Sequence, residues 1–92
     1  MPGAARCNLD TVATGIIRQG ANNLGTVRVN GFFLAIVTDD VDSHGSGSHA
    51  NATLATGSST VRAYGRAVCR LNDTATCGHI VNTSSTDVVI GG

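Results

Sequence analysis

Thr26-Val27-Arg28-Val29-Asn30-Gly31 recurs 34 residues later as Thr60-Val61-Arg62-Ala63-Tyr64-Gly65, and this pair decides the fold. The match continues at the same offset, with Phe32 to Thr38-Asp39 aligning on Arg66 to Asn72-Asp73. Each unit reads as a polar turn, a short strand, a glycine, a second short strand and an Asp-bearing turn. The glycine stands where a sharp bend or a positive φ would exclude a side chain. A looser third copy, Thr86-Asp87-Val88-Val89-Ile90-Gly91, follows Asn82-Thr83-Ser84-Ser85, as the second copy follows Thr56-Gly57-Ser58-Ser59. Pro2-Gly3-Ala4-Ala5-Arg6 parallels Arg66-Ala67-Val68-Cys69-Arg70, so one unit is expected to be split between the chain ends, bringing the termini together. Three such units predict three similar faces around an axis.

The rest of the chain agrees with an all-β reading. Its apolar residues come in short bursts, such as Gly15-Ile16-Ile17, Phe32 to Val37 and Val88 to Ile90, bounded by Gly, Asn, Asp or Ser. Glu and Lys are absent, so no helix beyond a turn or two is expected. The 92 residues are read as a single domain, 1–92. A chain of this size buries only about 60–65% of its unfolded surface, and such folds usually need a disulfide, a metal or a partner.

Charge narrows the partners. Six Arg balance six Asp, and the arginines (6, 18, 28, 62, 66, 70) are scattered along the sequence, as solubilising or ion-paired surface groups would be. No nucleic-acid stripe or basic membrane patch is visible, and stacking aromatics are nearly absent. The opening MPGAARCNLD lacks the apolar stretch of a signal peptide, so synthesis and folding in a bacterial cytosol are expected. Three cysteines without an export signal argue against a disulfide framework.

The histidines lie just downstream of Asp turns. Asp39 leads to His44 and, across Gly45-Ser46-Gly47-Ser48, to His49; Asp73 leads to Cys77-Gly78-His79. At the shared offset His44 falls opposite Gly78, so equivalent loops each supply a pair of good zinc ligands. The i, i+2 spacing of Cys77 and His79 puts both on one face of an extended segment. One thiolate and three imidazoles complete a tetrahedral zinc set of the closed, structural kind, one ion per chain. The alternative is that glycine-rich loops expose three unrelated histidines, and the spacing is no standard zinc signature. Cys69, in an apolar strand, reads as a small core residue, and Cys7 as either buried or idle. Asp39 and Asp73 read as turn caps, with orientation of a ligand as the alternative.

Pro2-Gly3-Ala4-Ala5-Arg6, the strand-Gly units, the Asp turns and the closing Val89-Ile90-Gly91-Gly92 together resemble the PAAR-repeat family, named for Pro-Ala-Ala-Arg. Members commonly carry Asn-Gly-(Lys/Arg)-Pro-Ala-Ala-Arg-Val-Gly-Asp. The nearest stretch here is Tyr64-Gly65-Arg66-Ala67-Val68-Cys69-Arg70-Leu71-Asn72-Asp73, and the copy from Asn30 to Asp39 loses the Arg. The resemblance implies a small cone of short strands in approximate three-fold repeats, stapled near the apex by zinc on three His and one Cys. It implies a monomer capping a trimeric β-helical spike in a contractile machine, whether a phage tail or a type VI secretion system. That places the chain at a virion tail baseplate or spike tip, or in the bacterial cytoplasm before delivery. Its partners would be the spike and, transiently, the target envelope, with no nucleic acid and no catalysis. Two other readings stand beside it: a small zinc hydrolase using Asp39 or Asp73 as general base, and a free-standing zinc-stabilised interaction module.

Overall fold

Two-residue turns that need a positive φ at both positions build the hairpins. A computed structural model of the chain describes residues 2–91; Met1 and Gly92, the last glycine of the closing Val-Ile-Gly-Gly, lie outside the described residues. Among the described residues the strands are β1 (Thr11–Val12), β2 (Gly15–Arg18), β3 (Arg28–Val29), β4 (Phe32–Phe33), β5 (Asp40–Val41), β6 (Arg62–Ala63) and β7 (Arg66–Ala67), with one 3₁₀ turn at Gly47–His49. β3 pairs with β4 across Asn30 (φ 54°) and Gly31 (φ 84°), and β6 with β7 across Tyr64 (φ 55°) and Gly65 (φ 75°). These are the left-handed turns whose twist matches that of antiparallel strands. β1, β2 and β5 form a third antiparallel sheet. The structure is thus nearly all β.

The segments that follow the hairpins close on one another in a ring. Ala5 N–H donates to the Cys69 carbonyl, Cys69 N–H to that of Ala35, and Ala35 N–H to that of Ala5, each at 3.0 Å. One residue further along, single bridges join Arg6 to Leu34, Ile36 to Val68 and Arg70 to Ala4 in the same cyclic order. Ala5, Ala35 and Cys69 are all fully buried. Three backbones can approach this closely only where side chains are small, which accounts for Ala, Ala and Cys. Cys69 is therefore a core residue, and Cys7 proves to be buried as well.

The ring divides two apolar clusters. On the hairpin side Ala4, Val29, Leu34 and Val68 pack with Val61, Ala63, Val88 and Ile90. Beyond it Cys7, Val12, Ile17, Val41, Leu54 and Val81 form the larger cluster, against which Val37 and Cys77 pack. Cys77 thus belongs to the larger cluster, which Phe33 of β4 also joins, in a molecule measuring 32 × 24 × 23 Å.

The chain ends do meet. Gly3 bridges Val89, Ala4 N–H donates to the Val88 carbonyl at 2.9 Å, and Ile90 N–H to that of Pro2 at 2.9 Å. The register corrects the sequence alignment by one residue. Val88 accepts from Ala4 as Val27 accepts from Leu34 and Val61 from Val68, so Val88, not Asp87, corresponds to Val27 and Val61. The reason is that strand register follows the buried face. A slip of one would turn Val88 and Ile90 out of the cluster and Asp87 into it.

Candidate metal centre

The Asp turns set up the loops that carry the candidate ligands. The turn preceding each aspartate holds a left-handed residue: Asn8 (φ 66°), Thr38 (φ 83°) and Asn72 (φ 74°). Asp10, Asp39 and Asp73 are buried and cap these turns, each accepting the backbone N–H of Arg6, Ile36 or Arg70 at 2.8–2.9 Å. None of the three is hydrogen-bonded to a candidate ligand, so all act as caps. Asp10 escaped the sequence alignment because Leu9 lengthens its turn by one residue. Arg6 and Arg70 pair with Asp10 and Asp73 at 2.8 and 3.0 Å, and these contacts hold both guanidinium groups above their ordinary pKa. Where the arginine is lost, at Ile36, the Asp39 carboxylate instead collects Gly20 N–H (2.9 Å), Asn23 Nδ2 (2.9 Å) and the Cys7 thiol (3.3 Å). Burial, and then the nearby Asp39 charge, push the Cys7 thiol far above its usual range and keep it a donor.

Beyond these turns two loops converge. After β5 the chain runs through Asp42 to His44, and the Gly-Ser-Gly-Ser spacer folds back so that His44 N–H meets the His49 carbonyl at 3.1 Å. After Asp73 the chain makes a tight turn, with Ala75 N–H on the His79 carbonyl (2.9 Å) and Gly78 at φ 90°. Cys77 and His79 are therefore brought together by a turn, not by the extended segment expected from their spacing. Gly78 permits it, because its φ would strain any residue with a Cβ. The segment around Thr53 and Leu54 ties the two loops side by side, bridging Asp40 on one flank and Ala75 on the other.

The potential ligand atoms of His44, His49, Cys77 and His79 all lie within 4.8 Å of one another. Cys77 Sγ stands 3.4 Å from His44 Nε2. A sulfur and a nitrogen bound tetrahedrally to zinc, at about 2.3 and 2.0 Å, sit about 3.5 Å apart. The imidazoles of His49 and His79 stack with centroids 4.6 Å apart. His49 Nδ1 is buried with no hydrogen-bond partner among the described residues, a lone pair or proton that only a further group would satisfy. His44 Nδ1 lies 3.0 Å from the Asp42 carbonyl, a contact that fixes the proton on Nδ1 and leaves the Nε2 lone pair facing Cys77. This group could hold a metal ion, and its donor set fits zinc.

Two supports of the site carry no signal in the sequence. One is the Asp42 carbonyl, a backbone atom. The other is Gly15, which is buried at the start of β2. A Cβ there would lie 2.4 Å from the Asp42 carbonyl oxygen and 2.8 Å from His44 Nδ1. No pocket opens among the described residues.

A family model described as the PAAR motif matches residues 10–83. The chain belongs to the PAAR motif family. The match spans both hairpin units and all four candidate ligands of this PAAR-motif protein. Comparison with curated proteins finds no match.

Proposed function

We propose that this PAAR-motif chain is a non-enzymatic, zinc-stabilised tip that caps the trimeric spike of a contractile injection apparatus and helps pierce the target envelope. The observation that carries the reading is the convergence of three histidines and one cysteine, from two loops, beside the larger apolar cluster. His44, His49, Cys77 and His79 would hold the ion. Bound zinc supplies a cross-link between the two loops, which otherwise rest on glycine-rich backbone and a few hydrogen bonds. Four protein ligands leave no position for an activated water, as suits a structural role.

The other end suits a trimer. The ring through Ala5, Ala35 and Cys69 joins two hairpin-bearing segments and the amino-terminal segment, which pairs with the carboxyl-terminal one, and this supports a cap with three related faces. A trimeric β-helix ends in three strand edges that attract non-specific pairing, and a single capping chain of this kind covers all three. One tip per trimer follows.

Metal analysis of protein purified without added zinc tests the staple, and light scattering of a mixture with a trimeric β-helical spike of a contractile apparatus tests the assembly. About one zinc per chain and one chain per trimer are the expected results. A folded, metal-free protein would remove the staple, and three chains per trimer would remove the cap.

A further inference from the structure

The chain is neutral as a whole, but its charges are separated. Arg6, Arg18 and Arg70 each pair with an aspartate: Asp10, Asp42 and Asp73 respectively. The other three arginines, Arg28, Arg62 and Arg66, are exposed on the two hairpins, and among the described residues none is ion-paired. The single acid accompanying them on the third unit is Asp87, which is engaged by Asn30 Nδ2 at 3.3 Å. Three arginines against one aspartate leave the hairpin end with a surplus of two positive charges. Asp10, Asp39, Asp40, Asp42 and Asp73 against Arg6, Arg18 and Arg70 leave the remainder with the matching negative surplus.

The same end exposes apolar side chains. Val27, Phe32 and Val89 are 41%, 37% and 49% exposed, and the Arg28 guanidinium lies 4.7 Å from the centroid of the Phe33 ring. Exposed apolar residues beside arginines are the composition of a protein–protein interface. A surplus of two charges is small for a nucleic-acid surface, whose affinity comes from many phosphate contacts.

We infer that the hairpin end docks on an acidic surface, so the partner trimer presents carboxylates, together with apolar groups, where Arg28, Arg62 and Arg66 reach them. The inference rests on the spike-tip reading and adds the partner's chemistry to it. By the register of the three units, Arg28, Arg62 and Val89 are equivalent positions. A symmetric trimer therefore finds two of three equivalent carboxylates answered by Arg28 and Arg62, and the third faces Val89. Charge then serves to steer the tip onto the spike end, and the exposed apolar residues to hold it.

The test measures binding of this chain to a trimeric β-helical spike of a contractile apparatus, from low to high salt. Affinity should fall with salt, since charges more than about 10 Å apart are screened at 0.1 M. The triple variant R28Q/R62Q/R66Q should bind roughly tenfold or more weakly at low salt with a flattened salt dependence, while R28K/R62K/R66K keeps both. All three side chains are exposed, and an unchanged thermal melt checks the fold. A glutamine variant that binds as tightly, with the same salt slope, overturns the charge inference and leaves the tip reading intact. Comparable binding to a DNA duplex also overturns it. Failure of the unmodified chain to bind the trimer at any salt sinks the tip reading itself.

Discussion

Tyr64 caps the backbone of Thr26 from across a hairpin boundary: its hydroxyl oxygen accepts the Thr26 N–H at 2.8 Å and the Val27 N–H at 3.1 Å. In the other two units a local serine does the same work. Ser58 Oγ accepts from Thr60 and Val61 (3.1 and 3.0 Å), and Ser85 Oγ from Asp87 and Val88 (3.2 and 3.0 Å). The first unit has Leu24 in that place, and a side chain from the second unit fills the gap.

Tyr64→Phe should therefore lower the melting temperature by a few degrees, because two backbone N–H groups lose their acceptor. The Thr26 hydroxyl contact lowers the phenol pKa below its usual 10.0, opposed in part by burial. Ultraviolet titration reads this directly, since the chain has one tyrosine. A normal or raised midpoint would count against the cap.

Gly15→Ala should loosen the metal site without touching a ligand. The added methyl overlaps the Asp42 carbonyl and the His44 ring, so one or both must shift. Overpacking of this kind costs about 1–3 kcal/mol. Competition with a zinc chelator should show faster metal loss than in the unmodified protein, and equal retention would contradict the role.

Thr38→Asn should stabilise the chain. Thr38 is β-branched and sits at φ 83°, while the equivalent left-handed turns use Asn8 and Asn72. Removing that strain should contribute about 1 kcal/mol, less whatever is lost with the Asn22 contact to its hydroxyl. Urea denaturation gives the difference.

Stability should fall in alkali. Burial, followed by the charge of Asp73, raises the folded Cys69 thiol far above its ordinary 9.0, and Cys7 is raised in the same way by burial and Asp39. The folded chain thus holds these protons more tightly than the unfolded one. Their contribution is whole below the unfolded thiol pKa and declines as pH rises above it, by up to about 1.4 kcal/mol per pH unit for each thiol. Cys69→Ala should make the decline shallower. The neighbouring ring positions are already alanine, and melts from neutral to alkaline pH would reveal an unchanged slope if the idea is wrong.

Much of the site was legible because it rests on residue type and local spacing. Good zinc ligands fell in equivalent loops after Asp39 and Asp73, and the structure brings all four within 4.8 Å. The manner of approach was not legible. Cys77-Gly78-His79 reads as extended when alternation alone is considered, yet it turns, because its neighbours Thr74 and Ile80 pair with each other. Gly15 and the Asp42 carbonyl gave no sign, since one lacks a side chain and the other belongs to the backbone.

The sequence by itself determined the recurring strand–glycine unit, its left-handed hairpin turns and the caps at Asp39 and Asp73. Each of these follows from the φ preferences of Asn and Gly or from hydrogen bonds reaching only a few residues. The tertiary structure alone decided the register of the last copy, the replacement of a serine by Tyr64, and the placing on the hairpins of three arginines that have no ion pair among the described residues. All three depend on which distant segments become neighbours. Arginines 34 residues apart in sequence, Arg28 and Arg62, occupy equivalent places on adjoining hairpins only after the ring through Ala5, Ala35 and Cys69 has closed.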